Sequence, residues 1–191
     1  MKNILIYGAG SNAISLINLI ESTKKYKIIA LIGLKRELGK KILNYQVKFT
    51  DIDLVKLSKK YKYIAISNTN YDNLKKRQNL ITKLKKNFKL PSIISPFSVL
   101  NNYCKIGEGV QIYSNSVVNT QNKVGNFCVI NTGSIIEHDV VIYNNVHVST
   151  RVTINGGCII GENSFIGSGS VLIQNKMIKK NSFLKMMSRI I

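Results

Sequence analysis

Histidine occurs only twice in this chain, cysteine three times and proline twice, and just nine residues are acidic. No run of 18 apolar residues exists, so no membrane-spanning helix is predicted. The opening apolar stretch is short and Gly8 interrupts it, which argues against a secretory signal and predicts a cytoplasmic protein. The shortage of acids leaves a formal net charge of +19. That excess is lopsided: residues 1–93 carry 20 Lys+Arg against 5 Asp+Glu, residues 94–191 carry 8 against 4. Such a field favours anionic partners, namely nucleic acid, membrane surface or phosphorylated small molecules. No helix-turn-helix, zinc-finger or RRM pattern accompanies it, so nucleic acid is not the expected partner. Lysine decoration of solvated faces is the plainer account. Hydrophobic residues at 45% and charged residues at 19% are ordinary for a folded chain.

What is present is a repeat. Stepping by six from Ile94 meets Leu100, Ile106, Ile112, Val118 and Val124, and continues to Leu184 with Ile, Leu or Val at all 16 positions. Four residues after nearly every aliphatic stands a small or β-branched residue, as at Cys104, Val110, Ser116, Cys128, Ser134 and Cys158. One residue after it, glycine or asparagine recurs, as at Asn101, Gly107, Asn119, Gly125, Gly161 and Gly167; these are the expected positive-φ corners. A period of six matches neither helix nor strand alternation, but it suits short strands separated by corners. Three hexads make a triangular coil of 18 residues, and about five coils stack into a parallel β-helix with one continuous core. Lys176 falls on an inward position, which predicts an irregular last coil. The three cysteines all take the inward small position and read as packing residues; Cys104 and Cys158 lie three coils apart, too far for a disulfide. Neither they nor anything else makes a metal site.

Upstream, residues 3–7 read as a buried strand, followed by Gly8-Ala9-Gly10-Ser11-Asn12-Ala13 and an amphipathic run to Thr23. Further strands cover Tyr26–Ile32 and Tyr63–Ser67. This is a Rossmann-like βαβ module whose glycine-rich first turn suits phosphate at a helix N-terminus. The second strand runs into Gly33-Leu34-Lys35-Arg36 without an acidic residue for a ribose, so a nicotinamide dehydrogenase is disfavoured. Pro91 and Pro96 mark the hand-over, giving a nucleotide-binding module over 1–90 and a β-helix domain over 91–191.

Both histidines, His138 and His147, avoid the two inward positions of their hexads, which predicts exposed strand or corner residues. Acyl transfer needs a base for the nucleophile's proton, a donor for the oxyanion that forms, and a thioester held in line. Imidazole suits the first role at neutral pH. Glu137 or Asp139 can orient the ring, and Gly156-Gly157 can supply a backbone donor. The histidines are nine residues apart, half a coil, so they lie on opposite sides of one prism and share a site only if two subunits contribute.

Two stretches carry a resemblance: Gly133-Ser134-Ile135-Ile136-Glu137-His138-Asp139-Val140-Val141-Ile142 with Val146-His147-Val148-Ser149, and Gly156 followed by Ile160-Gly161-Glu162-Asn163-Ser164-Phe165-Ile166-Gly167. They resemble the hexapeptide-repeat acyltransferases, and residues 1–185 together resemble the bacterial nucleotide-sugar acetyltransferases of glycan biosynthesis. That resemblance implies a left-handed β-helix, a homotrimer, acetyl-CoA as co-substrate and a nucleotide-linked amino sugar as acceptor. It implies His138 as general base tuned by Asp139, with His147, Gly156 and Ser168 toward the coenzyme. The nucleotide sugar would lie on Gly8, Gly10, Ser11 and Asn12 of the first turn and on Gly33 and Leu34. Asn12 stands near the place of the family's usual histidine, and the final Gly-x-Pro-Ala-type segment is missing, so the nucleotide or sugar and the coenzyme affinity are expected to differ.

Competing classes are a sugar or sialic acid O-acetyltransferase and a non-catalytic scaffold. A γ-type carbonic anhydrase needs three zinc-binding histidines, and two are present. A binder of anionic surfaces would associate in a strongly salt-dependent manner.

Overall fold

The structure, a computed structural model, describes residues 1–67 and 73–191. Its contacts divide the chain into two compact units, Met1–Asn70 with Asn79–Pro91 and Tyr71–Gln78 with Ser92–Ile191. The segment opening the third helix therefore groups with the later unit rather than with residues 1–90. Among the described residues no helix is long and apolar enough to cross a membrane.

The first unit is a five-stranded sheet in the order β3-β4-β2-β1-β5. Here β1 is Lys2–Tyr7, β2 Tyr26–Ile32, β3 Lys41–Ile42, β4 Tyr45–Phe49 and β5 Tyr63–Ile66. All pairings are parallel except the β3–β4 hairpin. Ile4, Leu5 and Ile6 of β1 are fully buried, as a central parallel strand requires. Helix α1 (Asn12–Thr23) presents Ala13, Leu16, Ile17 and Ile20 to the core at helical spacing. Helix α2 (Leu54–Lys60) belongs to this unit as well, and α3 (Leu74–Lys85) is divided between the two units. The strand order turns back beside β1, which places Gly8 and Gly10 at the carboxyl end of the strand where an open α/β sheet changes direction.

In the second unit, strands β6 (Ile93–Ile94) to β22 (Arg189–Ile190) are each two residues long and follow one another every six. Each pairs in parallel with the strand 18 residues away, as Val117 with Ile135 and Val129 with His147, and they form three sheets of six, five and six strands. From Ile112 to Leu172 every aliphatic of the six-residue series is buried. Each such side chain withdrawn from water contributes roughly 1.5–3 kcal/mol. The inward small position is buried as well, and its polar members reach along the axis. Cys128 Sγ donates to Tyr143 O at 3.0 Å, Ser134 Oγ to Ser149 O at 2.7 Å and Ser164 Oγ to Lys179 O at 3.0 Å, each fifteen residues on. Small polar groups are tolerated here because the next corner offers a carbonyl to each. All three cysteines are free thiols.

Two expectations need correction. Positive φ falls not one but three residues after the aliphatic: Tyr103, Gly109, Asn115, Gln121, Phe127, Gly133, Asp139, Asn145 and onward to Met187. The corner glycines serve close approach instead. A Cβ on Gly161 would lie 2.4 Å from the Lys180 backbone nitrogen, and one on Gly125 2.7 Å from the Tyr143 carbonyl carbon. The last coil is also regular. Lys176 does not interrupt it, and Met177–Ile178, Phe183–Leu184 and Arg189–Ile190 all pair in register with the strands before them.

Candidate functional site

Stacking at 18-residue intervals sets side chains in columns along each corner. His138, Gly156 and Gln174 occupy one column; Asp139, Gly157 and Asn175 occupy the next. With Glu137 and Asn155 they line an open cleft of about 570 Å³. Asp139 sits at φ +60, a left-handed corner that aspartate tolerates better than most residues. Its Oδ2 lies 2.9 Å from His138 Nδ1, and the two side chains are 61% and 55% exposed. A carboxylate only accepts, so this contact assigns the ring proton to Nδ1 and leaves the Nε2 lone pair unengaged.

Gly156 lies directly beneath the imidazole. A Cβ there would stand 2.7 Å from Cε1, 2.9 Å from Nε2 and 3.2 Å from Nδ1 of His138. Its own N–H donates to no group among the described residues, whereas the Gly157 N–H is held by the His138 carbonyl at 3.1 Å. Of the two glycines foreseen as oxyanion donors, Gly156 is therefore the one free to act. Glu137 is braced by Asn119, whose Nδ2 donates to Oε2 at 2.9 Å.

His147 and Ser168 are not in this cleft. His147 opens β15 (His147–Val148), on the face opposite the His138 corner, as half a coil requires. Expected to be exposed, it is only 6% exposed. The outer side of this sheet is occupied: the His147 and Phe165 rings pack at 5.2 Å and Phe165 stacks on Phe183 at 4.8 Å. Burial, with the Arg77 charge second, pushes the His147 imidazole down to about 3, so the ring is neutral throughout the physiological range. Among the described residues its Nδ1 is buried without a hydrogen-bond partner. Ser168 lies at the corner after this face, bonded to Ser149 Oγ at 2.8 Å and Thr150 Oγ1 at 2.9 Å.

Arg77 went unforeseen. Buried almost completely, it donates to Phe127 O at 2.8 Å and to Asn145 Oδ1. Asn145 in turn donates to Leu74 O at 2.9 Å and Asn163 Oδ1 at 2.8 Å. No local pattern could reveal this residue, because its acceptors lie 50 and 68 positions away.

In the first unit, the turns holding the other foreseen residues meet. A Cβ on Gly33 would come within 3.2 Å of Ala9 Cβ, so the turn after β2 packs on the Gly8–Gly10 turn. Ser67 Oγ donates to Gly8 O at 2.8 Å, and Ser11 and Asn12 open α1. Leu34 is exposed. The turn is not devoid of acid as expected: Glu37 folds back so that Oε2 accepts the Leu34 N–H at 2.8 Å, and Asp51 accepts the Tyr7 hydroxyl at 2.5 Å. Among the described residues, no group of three or more His, Cys, Asp or Glu stands together as a metal site.

Neither a family model nor a curated protein matches the sequence. Solved structures do. PerB from Caulobacter crescentus, in complex with CoA and GDP-perosamine, is 22% identical with a TM-score of 0.91 over 100% of this chain and 89% of that one. The acetyltransferase domain of PglB from Neisseria gonorrhoeae is 21% identical with a TM-score of 0.89, covering 100% and 92%. WeeI from Acinetobacter baumannii is 20% identical with a TM-score of 0.68, covering 96% of each chain. This chain shares their fold. Its three stacked parallel sheets fit a left-handed β-helix.

Proposed function

We propose that this protein is an acetyl-CoA-dependent acetyltransferase that N-acetylates an amino sugar carried on a nucleotide. The observation that carries the reading is the pairing of His138 with Asp139 above the unengaged N–H of Gly156, in a cleft open to solvent. Acetyl-CoA supplies the activated acyl group, and a thioester fits here because Gly156 presents a backbone donor with no side chain in the way. As the acceptor amine attacks the thioester carbonyl, His138 Nε2 takes its proton. The tetrahedral adduct then collapses with cleavage of the C–S bond, and the coenzyme thiolate leaves as the thiol with the proton held on the imidazolium. Asp139 holds the imidazole in the competent tautomer and faces the imidazolium that results. The Gly156 N–H donates to the carbonyl oxygen as negative charge gathers there. The solved neighbours support an amine acceptor, since one is described as a perosamine N-acetyltransferase and was solved with CoA and GDP-perosamine.

In this reading the nucleotide lies on the turn of Gly8, Gly10, Ser11 and Asn12 with Gly33 and Leu34, at a helix N-terminus beside the point where the sheet reverses. Ser168 and His147 belong to a different face from His138, so they reach the same coenzyme only from a neighbouring copy. A cyclic homotrimer supplies that arrangement. His147 would contribute as a neutral imidazole through the narrow part of its ring left uncovered.

The decisive assay is release of the coenzyme's thiol from acetyl-CoA with a panel of UDP-, dTDP-, GDP- and CMP-linked amino sugars. Saturable release with at least one amine, and product acetylated at nitrogen, is expected. Absence of release with every sugar, together with no saturable acetyl-CoA binding, would leave a scaffold.

A further inference from the structure

The cleft around His138 runs against the charge of the chain that makes it. Of nine acidic residues in the sequence two, Glu137 and Asp139, line it, and none of the 28 lysines and arginines does. Coenzyme A and nucleotide sugars are polyanions, so two carboxylates facing them oppose binding unless a positive group arrives with the ligand. Asp139 has its task, since Oδ2 faces His138 Nδ1 at 2.9 Å. Glu137 has none in the transfer itself.

Its carboxylate is nevertheless held in place. Asn101, Asn119, Glu137 and Asn155 follow one another at 18-residue steps. Asn101 Nδ2 donates to Asn119 Oδ1 at 2.7 Å. With its oxygen occupied, the Asn119 amide turns its NH2 to the next rung, where Nδ2 donates to Glu137 Oε2 at 2.9 Å. A ladder that served only to stack the coils would continue through Asn155. It stops instead, because Asn155 Nδ2 turns away to Leu172 O at 2.7 Å. Among the described residues Asn119 is the one partner of the Glu137 side chain, and no lysine, arginine or histidine pairs with it. One oxygen is pinned and the other is left open at the cleft, which is a preorganised receptor for a cation.

We infer that Glu137 receives the protonated amine of the acceptor sugar and is the residue that selects an amine over a hydroxyl; this rests on the N-acetylation proposed for the same cleft. A primary aliphatic amine reaches the protein as an ammonium at neutral pH. It gives one proton to solvent before its lone pair forms the C–N bond. Its nitrogen is positive again in the adduct until His138 takes a second proton. Glu137 faces positive charge at both stages. A hydroxyl at the same sugar carbon carries no such charge when it binds, so the carboxylate gains little from it.

The test uses whichever UDP-, dTDP-, GDP- or CMP-linked amino sugar the parent turns over fastest, and the same nucleotide sugar with a hydroxyl in place of the amine. Glu137→Gln removes the charge and keeps an oxygen for Asn119. It should raise KM for the amine by about 10–100-fold, with kcat and KM for acetyl-CoA changed only severalfold. The hydroxyl analogue, read as a competitive inhibitor, should bind parent and variant alike. Asn119→Ala frees the carboxylate without discharging it and should raise the amine KM by about 2–10-fold. An amine KM within twofold of the parent in Glu137→Gln would overturn the inference and leave N-acetylation standing. Equal weakening of amine and hydroxyl analogue would overturn it too, by reducing Glu137 to a shaping role. A parent inactive with every amine would instead remove the N-acetylation reading, and this assignment with it.

Discussion

Alanine at position 156 would drive a methyl group into the imidazole of His138. The built Cβ lies 2.7 Å from Cε1, while comfortable carbon–carbon contact begins at about 3.5 Å, so the ring must retreat by roughly 0.8 Å. The backbone does not resist the change, because the positive φ of this corner belongs to Gly157 and not to Gly156. The Gly156 N–H is also kept. What is lost is the placement of Nε2, and a displacement near 1 Å costs about 10²-fold in rate. Gly156→Ala should therefore lower kcat/KM for the acceptor sugar by about 10²-fold, with a melting temperature close to that of the parent. Steady-state thiol release reads the first quantity and thermal unfolding the second. The double variant with His138→Ala should lose no more than His138→Ala alone, since both act through one ring. Near-parental turnover in Gly156→Ala, or a full further loss in the double variant, would refute the role given to this contact.

Other outcomes follow from the same geometry. His138→Ala should cut turnover by about 10²–10⁴-fold while acetyl-CoA binding survives in a coenzyme titration, and unchanged turnover would remove it as base. Mixed trimers of His138→Ala and His147→Ala subunits should recover some activity, and none in verified mixtures would rule out sites shared between copies. His147 titrates near 6.5 when unfolded and about 3 when folded, so only the unfolded chain gains a proton between those values. Stability should thus fall as pH drops through that window, by up to about 5 kcal/mol, and be flat above it. His147→Phe should flatten the profile measured by urea unfolding; an unchanged slope would contradict its burial as a neutral ring. Gln121→Gly relieves a left-handed corner and should stabilise by about 1 kcal/mol. Gly161→Ala forces a Cβ against the Lys180 backbone and should destabilise by about 1–3 kcal/mol, both read from chemical denaturation.

The β-helix was legible because its determinants are local and periodic: one aliphatic every six residues is visible without knowing what it touches. Corner chemistry was less so. Glycine can serve positive φ or close approach, and a sequence does not say which, so the left-handed residues were sought two positions too early. Stepping by 18 from His138 would have named Gly156 and Gln174 as its column mates, and that signal was available. The burial of His147 was not, because Arg77 makes its anchoring bonds only to acceptors 50 and 68 positions along the chain. The β3–β4 hairpin escaped notice for a simpler reason. At two and five residues, with lysine and glutamine alternating among the apolar positions, it lacks the apolar run that betrays a buried strand.

The uniform 18-residue pairing also sets the grain at which such a protein can change length. Adding or deleting a full rung shifts everything beyond it along the axis by one strand spacing, about 4.8 Å, and leaves every inward residue inward. A six-residue edit keeps inside and outside intact but carries each later side chain to the next face, so that His138 would be presented by a different edge. A single-residue edit turns the interior outward. Lineages built on this frame are therefore free to grow or shrink in whole rungs, while the face that presents His138 is held fixed by arithmetic.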